Sequence, residues 1–215
     1  MADEHADKSG YQARSGDLAE LLRAGHLGAF FRPGQAADAG LTRQQLRTLV
    51  RRGAVERVGR GLYRVAGAEP TENYSIAMAC ARVPNSVVCL LSALGVHQIG
   101  TQLPRAVWLA IRHKARMPQL AGVTLRVVRF SGAAWTYGVT KTEFEGVPAR
   151  ITSPARTIVD CFRYERLIGP EAAMEALLDG LRRRVVNVGE LDRAERVLPS
   201  RRLRAALDLR STGAL

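Results

Sequence analysis

Residues 41–67 read LTRQQLRTLVRRGAVERVGRGLYRVAG, and this stretch decides the fold. Thr42 stands three residues before Gln45, the spacing of a capping box, in which each side chain satisfies a backbone N–H that the helix start leaves without a partner. From there Leu46, Leu49 and Val50 fall on one side of a helix turning about 100° per residue. Gly53 ends that helix. Two short β-prone runs follow, Ala54–Val58 and Leu62–Val65, separated by Gly59-Arg60-Gly61, and together they predict a hairpin. Leu62 and Tyr63 are expected to anchor it to the core. Working outward, Pro33 suits the first turn of a short helix that stops at Gly40. Before it, Leu18, Leu21 and Leu22 recur at helical spacing after Ser15, Gly16 and Asp17, so a first helix runs to about Leu27. Residues 1–14 are polar and are expected to fray. Helix, helix, turn, helix, hairpin is the order of a winged helix-turn-helix, here over about residues 15–68.

The side of the third helix away from Leu46 carries Gln44, Arg47, Thr48 and Arg51, with no acid among them. Arginine can pair bidentately with guanine, glutamine with adenine, and threonine with a base or a phosphate. An α-helix fits the major groove, and a helix-turn-helix places the N-terminal half of its recognition helix there. Arg57, Arg60 and Arg64 on the hairpin would then reach phosphates or an adjacent minor groove. The plainer alternative is an exposed basic helix beside a surface hairpin. The order of elements, the capping box and the hairpin arginines together favour the DNA reading over it.

Charge agrees. The 215 residues hold 32 basic and 20 acidic side chains, a net +12, and 29 of the basic ones are arginine. Such a balance favours polyanionic partners, nucleic acid first. Residues 32–64 carry eight arginines against Asp38 and Glu56, residues 73–142 carry eight basic residues and no acid, and residues 143–215 are nearly balanced at 13 to 11. The acid-free middle predicts either extra phosphate contacts or a basic face toward a nucleotide- or RNA-binding partner. With 47% hydrophobic and 24% charged residues the chain is an ordinary globular one, not a disordered or collagen-like one. Apolar runs such as Ile76–Ala81 and Val87–Leu91 reach about a quarter of a membrane span, so no membrane partner is expected. Asp3, Glu4, Asp7 and Lys8 with no apolar block speak against a secretory leader and point to the cytoplasm.

Gly67-Ala68-Glu69-Pro70 is the expected linker. Beyond it the pattern is mixed, giving an α+β protein whose second domain spans about residues 69–215. Thr71 opens a helix through about Arg82. Val87–Leu90 is either a strand or a helix start, and Ser92–Ile99 is helical. Ala106–Ile111 and Val123–Phe130 are strand-like, and Phe144–Ile151 turns at Gly146 as a second hairpin. Ser153-Pro154 starts a helix with Ala155, Ile158, Val159 and Phe162 on one face. The next, from Pro170, is expected to bury Met174, Leu177, Leu178 and Leu181, with Glu171 and Glu175 early and Arg182, Arg183 and Arg184 late, as the helix dipole favours. Two short helices near Val188–Leu198 and Arg201–Arg210 complete the chain.

Catalytic and metal patterns are weak. Gly59-x-Gly61 lacks a third glycine and sits in a hairpin, so it makes no dinucleotide or phosphate loop. Asp160 and Glu165 diverge by about 140° on a helix, while Arg156 and Arg163 are better placed for surface ion pairs with Asp160. Glu190, Asp192 and Glu195 alternate with arginines and predict a solvated face. Cys80, Cys89 and Cys161 are too widely spaced for metal binding and are expected as small buried hydrophobes. His97 and His113 are expected as core or surface side chains. No enzyme activity, cofactor or metal is expected.

The stretch 41–67 resembles the N-terminal winged helix of AbiEi-type antitoxins from AbiE toxin–antitoxin systems. The likeness continues through CLLSALGVHQIG (89–100), VWLAI (107–111) and ITSPARTIVDCFRY (151–164), which resemble the second domain of that family; it covers roughly residues 17–184. The resemblance implies a DNA-binding autorepressor that recognises inverted repeats in its own promoter. Its second domain would neutralise a cognate nucleotidyltransferase-like toxin without necessarily forming a stable complex. The candidate DNA-contacting set is Thr42, Arg43, Gln44, Arg47, Thr48, Arg51, Arg57, Arg60 and Arg64. The alternatives are a ligand-responsive regulator and a DNA-targeted nuclease; the chain's end near residue 215 speaks against an appended nuclease domain.

Overall fold

A computed structural model divides the chain into two units, residues 1–69 and 70–215. It describes residues 18, 20, 27–59, 61–68, 72–120 and 122–211. The expected frayed arm, most of the expected first helix, and Arg60 lie outside the described residues. Leu18 and Leu27, at the ends of that helix, are both buried.

The first unit is helix-turn-helix-like, and its elements start where the local chemistry puts them. Helix α1 (Pro33–Asp38) has proline in its first turn. Helix α2 (Arg43–Arg51) begins with the expected capping box: Thr42 Oγ1 accepts from the Gln45 backbone N–H, and Gln45 Oε1 accepts from the Thr42 N–H. Strands β2 (Val55–Gly59) and β3 (Leu62–Val65) form the expected antiparallel pair. A bulge between Arg57 and Gly59 breaks strict alternation, so that Val55 and Val58 are both buried. Gly61, in the turn, has φ +63°, a conformation that glycine adopts without strain. The sequence reading missed β1 (Phe30–Phe31), which adds to the far side of β3 and gives the order β1-β3-β2. The core of the unit joins Leu18, Leu27, Phe31, Ala36, Leu41, Leu46, Leu49, Val55 and Val65.

The second unit is a mixed sheet packed against helices. Its elements are α3 (Tyr74–Arg82), β4 (Val87–Val88), α4 (Leu90–Val96), β5 (Val107–Arg112), β6 (Leu125–Phe130), α5 (Ala133–Thr136), β7 (Val139–Phe144), β8 (Val147–Thr152), α6 (Pro154–Arg163), α7 (Glu165–Ile168), α8 (Pro170–Arg182), α9 (Val188–Val197) and α10 (Arg201–Ser211). Strand order is β6-β5-β4-β8-β7, with β5–β6 and β4–β8 parallel and β4–β5 and β7–β8 antiparallel. One large core joins sheet residues such as Trp108, Ala110, Val128 and Phe130 to Ile158 and Val159 of α6 and to Leu177, Leu191 and Leu203 of the helices beyond it.

Several expectations need correction here. Helix α3 starts at Tyr74 rather than Thr71. Val87–Leu90, open between a strand and a helix start, supplies both: Val87–Val88 is β4 and Leu90 begins α4, which ends at Val96 rather than Ile99. The second hairpin begins at Val139, five residues before the expected Phe144; the missed arm, Val-Thr-Lys-Thr-Glu, is a largely exposed edge strand without apolar alternation. Ser153 does occupy the N-cap of α6, but its side chain makes no cap bond; instead its backbone N–H donates to Gly138 O and its carbonyl accepts from Thr157 Oγ1. Leu178 is exposed, because α8 packs through the smaller Ala173, Ala176 and Gly180 as well as Leu177. All three cysteines are buried and free, as expected. Burial pushes the Cys80 thiol up to about 12 and the Cys89 and Cys161 thiols up as well.

The largest correction concerns Asp160. Its partners are the expected Arg156 and Arg163, but Asp160 and Arg156 are fully buried, not on the surface. Helix α6 runs between the sheet and α8, α9 and α10, so even its polar side is covered. Arg156 Nε donates to Asp160 Oδ2 at 2.8 Å, its other nitrogens donate to the carbonyls of Tyr137 and Ala134, and its guanidinium lies over the Phe130 ring. Gly138, at φ +59°, leaves room for it: a Cβ there would come within 2.8 Å of Arg156 Cβ. Likewise Glu195 of the expected solvated face is buried and paired with Arg204, which also binds Asp192 at 2.6 Å.

Candidate nucleic-acid interface

Helix α2 carries the candidate side chains because its amphipathic pattern turns Leu46 and Leu49 inward. The opposite stripe is then Gln44, Arg47, Thr48 and Arg51, at i, i+3, i+4 and i+7 along the helix. Gln44, Arg47 and Arg51 are exposed, as is Arg43 one turn before Arg47. Their methylene stems and the hairpin enclose a groove of about 820 Å³. Arg43, Gln44, Arg47, Thr48, Arg51 and Arg57 all line it, with Pro33 and Tyr63 at its walls. No carboxylate lines this groove, and among the described residues none of its four arginines is in an ion pair.

Local bonds orient parts of the stripe. Thr48 Oγ1 donates to the Gln44 carbonyl at 3.1 Å and accepts from Arg51 at 3.3 Å. Arg57 sits directly across the ribbon from Tyr63, whose ring stacks on Phe31 at 5.9 Å between centroids. This stacking makes Tyr63 the anchor the sequence implied, while leaving part of it at the groove wall.

Three candidates stand apart. Thr42 is occupied as the cap of α2. Arg64, opposite Glu56 on the paired strand, lies 3.5 Å from its carboxylate, donates to Ala68 O at 3.4 Å, and is half-buried rather than extended into the groove. Arg60 lies outside the described residues. Pro33 and Tyr63 are the wall residues that sequence reasoning did not place in the site. The signal for Tyr63 was its register opposite Arg57; for Pro33 there was none, because it reaches the groove only through the packing of α1 on α2.

Elsewhere, His97 is half-buried with Nε2 2.7 Å from Thr152 O; burial pushes its pKa down. Among the described residues no group of three or more His, Cys, Asp and Glu side chains could hold a metal ion. No described helix is long and apolar enough to cross a membrane.

Residues 17–66 match the family model described as transcriptional regulator, AbiEi antitoxin. The resemblance read from the sequence is thereby shown for the segment that contains α1, α2 and the β2–β3 pair, and the family is one of regulators. No curated protein matches the chain. A crystal structure of the RV2827C protein from Mycobacterium tuberculosis is similar at 18% identity and a TM-score of 0.46, over 83% of this chain and 69% of that one.

Proposed function

We propose that this regulator of the AbiEi antitoxin type binds double-stranded DNA through the α2 groove and represses its own promoter at inverted repeats. The observation that carries the reading is the groove itself: four exposed arginines, three on α2 and one on the hairpin, line it with an amide and a hydroxyl and no carboxylate. Gln44 and Arg47 have the donor patterns for base edges. Arg43, Arg51 and Arg57, flanking them, have the reach for phosphates on either side. Arg60 is placed with them by its position in the hairpin sequence. Thr42 contributes by holding the N-terminus of α2 in shape, and Arg64 by bracing the ribbon.

The second unit is the antitoxin part in this reading and antagonises a nucleotidyltransferase-like toxin by action, with or without a stable complex. The protein works by binding, needs no cofactor, and acts in the cytoplasm. Its two domains, about residues 15–68 and 69–215, are separable. The test has two parts. A fragment of residues 1–68 should shift its own promoter DNA, more weakly than the full chain because each copy holds only one half-site. A fragment of residues 69–215 should not shift it, yet should restore growth to cells expressing the adjacent toxin gene. Rescue by residues 1–68 alone refutes this division, and a full-length chain that neither shifts the promoter nor rescues growth refutes the function.

A further inference from the structure

One row of the first unit's sheet grades from core to groove. Phe31, Tyr63 and Arg57 are direct neighbours across β1, β3 and β2. Direct cross-strand partners project from the same face of a sheet. Two residues along each strand, on that same face, Val55 pairs with Val65, and both are buried in the core that Leu46 and Leu49 of α2 join. The row therefore faces α2. Along it Phe31 is fully buried, Tyr63 half-buried and Arg57 exposed. Tyr63 and Arg57 both line the groove beside α2. Glu56, the one carboxylate of β2 and β3, belongs to the other face, where it is paired with Arg64.

The Phe31 stack, with 20° between the ring planes, fixes the Tyr63 ring against the core. Its hydroxyl makes no hydrogen bond among the described residues and is open to solvent. The Arg57 guanidinium makes no hydrogen bond or ion pair among them either. The two side chains leave adjacent strands side by side and have similar reach. They therefore offer a phenol O–H and a planar set of N–H groups to one point at the lip of the groove. A base edge in the major groove mixes donors and acceptors, whereas the free oxygens of a backbone phosphate only accept. Two neighbouring donors with no carboxylate beside them match the phosphate.

We propose that Tyr63 is a DNA-contacting residue, its hydroxyl and the Arg57 guanidinium together taking the free oxygens of one backbone phosphate. The inference rests on the DNA reading of the groove and adds to it a contact that carries no charge. Tyr63 then does a different job at each end: its ring closes the core on Phe31, and its O–H anchors the duplex.

The test measures the affinity of the full chain for its promoter duplex and for a random duplex of equal length, over a salt series. The proteins are the wild type, Tyr63→Phe, Arg57→Ala and the double variant, with melting curves in parallel. Tyr63→Phe keeps the ring and its stack, so the melting temperature should not move. Affinity should fall about tenfold on both duplexes, the loss of one hydrogen bond to a charged group. The salt slope should stay as in the wild type, because no charge is lost, whereas Arg57→Ala should reduce it by about one. Since both donors serve one phosphate, the double variant should lose less than the product of the two single losses. If Tyr63→Phe binds both duplexes as the wild type does, the inference is overturned and the DNA reading stands. A loss confined to the promoter would make Tyr63 a base reader, and a lower melting temperature would make its hydroxyl a structural group; either result overturns the phosphate contact. So do single losses that simply multiply in the double variant. A wild-type chain that binds neither duplex overturns the DNA reading itself, and this inference with it.

Discussion

The groove arginines of the first unit and the core and helix arginines of the second do opposite jobs. In the first, Arg43, Arg47, Arg51 and Arg57 line an open groove and have no carboxylate partner among the described residues. In the second, Arg156 lies wholly inside the core with Asp160 and two carbonyls, and Arg204, Arg196, Arg183 and Arg182 are held by Asp192, Glu195 and Asp179. A guanidinium with its counter-charge inside the fold is part of the structure. One whose counter-charge is missing has its Coulomb energy still available to a polyanion. Net charge cannot tell the two apart; pairing can.

The sharpest way to break the comparison is to remove Arg156. Arg156→Ala leaves Asp160 buried with only Arg163 beside it and strips donors from the Ala134 and Tyr137 carbonyls. Breaking a buried pair in this way costs about 3–5 kcal/mol. Urea unfolding should show that loss in the second unit, while promoter binding by the first survives wherever the chain stays folded. The double variant Arg156→Met with Asp160→Leu should recover much of it, because the uncompensated charge is gone. A cost below about 1 kcal/mol for Arg156→Ala would mean that the pair is incidental.

The next effect is read on DNA. If the groove arginines and Arg60 neutralise about four to six phosphates, log affinity should fall against log salt with a slope of about −4 to −5. Between about 50 and 200 mM salt, promoter binding would weaken roughly 300- to 1000-fold. A slope near zero would show that the unpaired arginines are simply solvated.

The contrast between the units also explains how far the sequence could be read. The capping box at Thr42, the stripe on α2 and the β2–β3 pair depend on residues within a turn or two of each other, and all were legible. Strand β1 was not, since two phenylalanines become a strand only by pairing with β3. The Val139–Glu143 arm was not, because an exposed edge strand has no core side to impose alternation. Asp160 looked like a surface residue because its neighbours on the helix are charged; that it is buried follows from α8, α9 and α10 closing over α6, which no local spacing records. The same holds for Leu178, exposed because Gly180 lets α8 approach Ile158 so closely that a Cβ there would sit 2.9 Å from Ile158 Cδ1. In the groove, the helical candidates converged as read, whereas Arg64 was claimed by Glu56 across the ribbon.

A smaller effect separates reading from anchoring inside the groove. Gln44→Ala or Arg47→Ala should cost about 1–3 kcal/mol on the promoter site and less on random duplex. Arg57→Ala should weaken both to a similar degree. If Arg57→Ala alone removed the preference for the promoter, the ribbon rather than α2 would be the reader.

The smallest effect concerns Thr42, which bears on both stability and binding. Its Oγ1 accepts from the Gln45 N–H and donates to Gln45 Oε1. With both hydroxyl functions engaged, its job is to hold the helix start. Thr42→Ala should therefore cost about 1 kcal/mol of stability in the first unit, read by urea unfolding of the 1–68 fragment or of the full chain. Thr42→Asp supplies an equally good cap acceptor and adds a negative charge at the positive end of α2, so stability should be kept or slightly raised. That same charge stands one residue from Arg43 at the edge of the groove, where it would repel phosphate. Thr42→Asp should then bind promoter DNA more weakly than Thr42→Ala although it folds better. If the two variants rank the same way in both measurements, capping and binding are one effect at this position, and Thr42 touches the DNA only through the helix it starts.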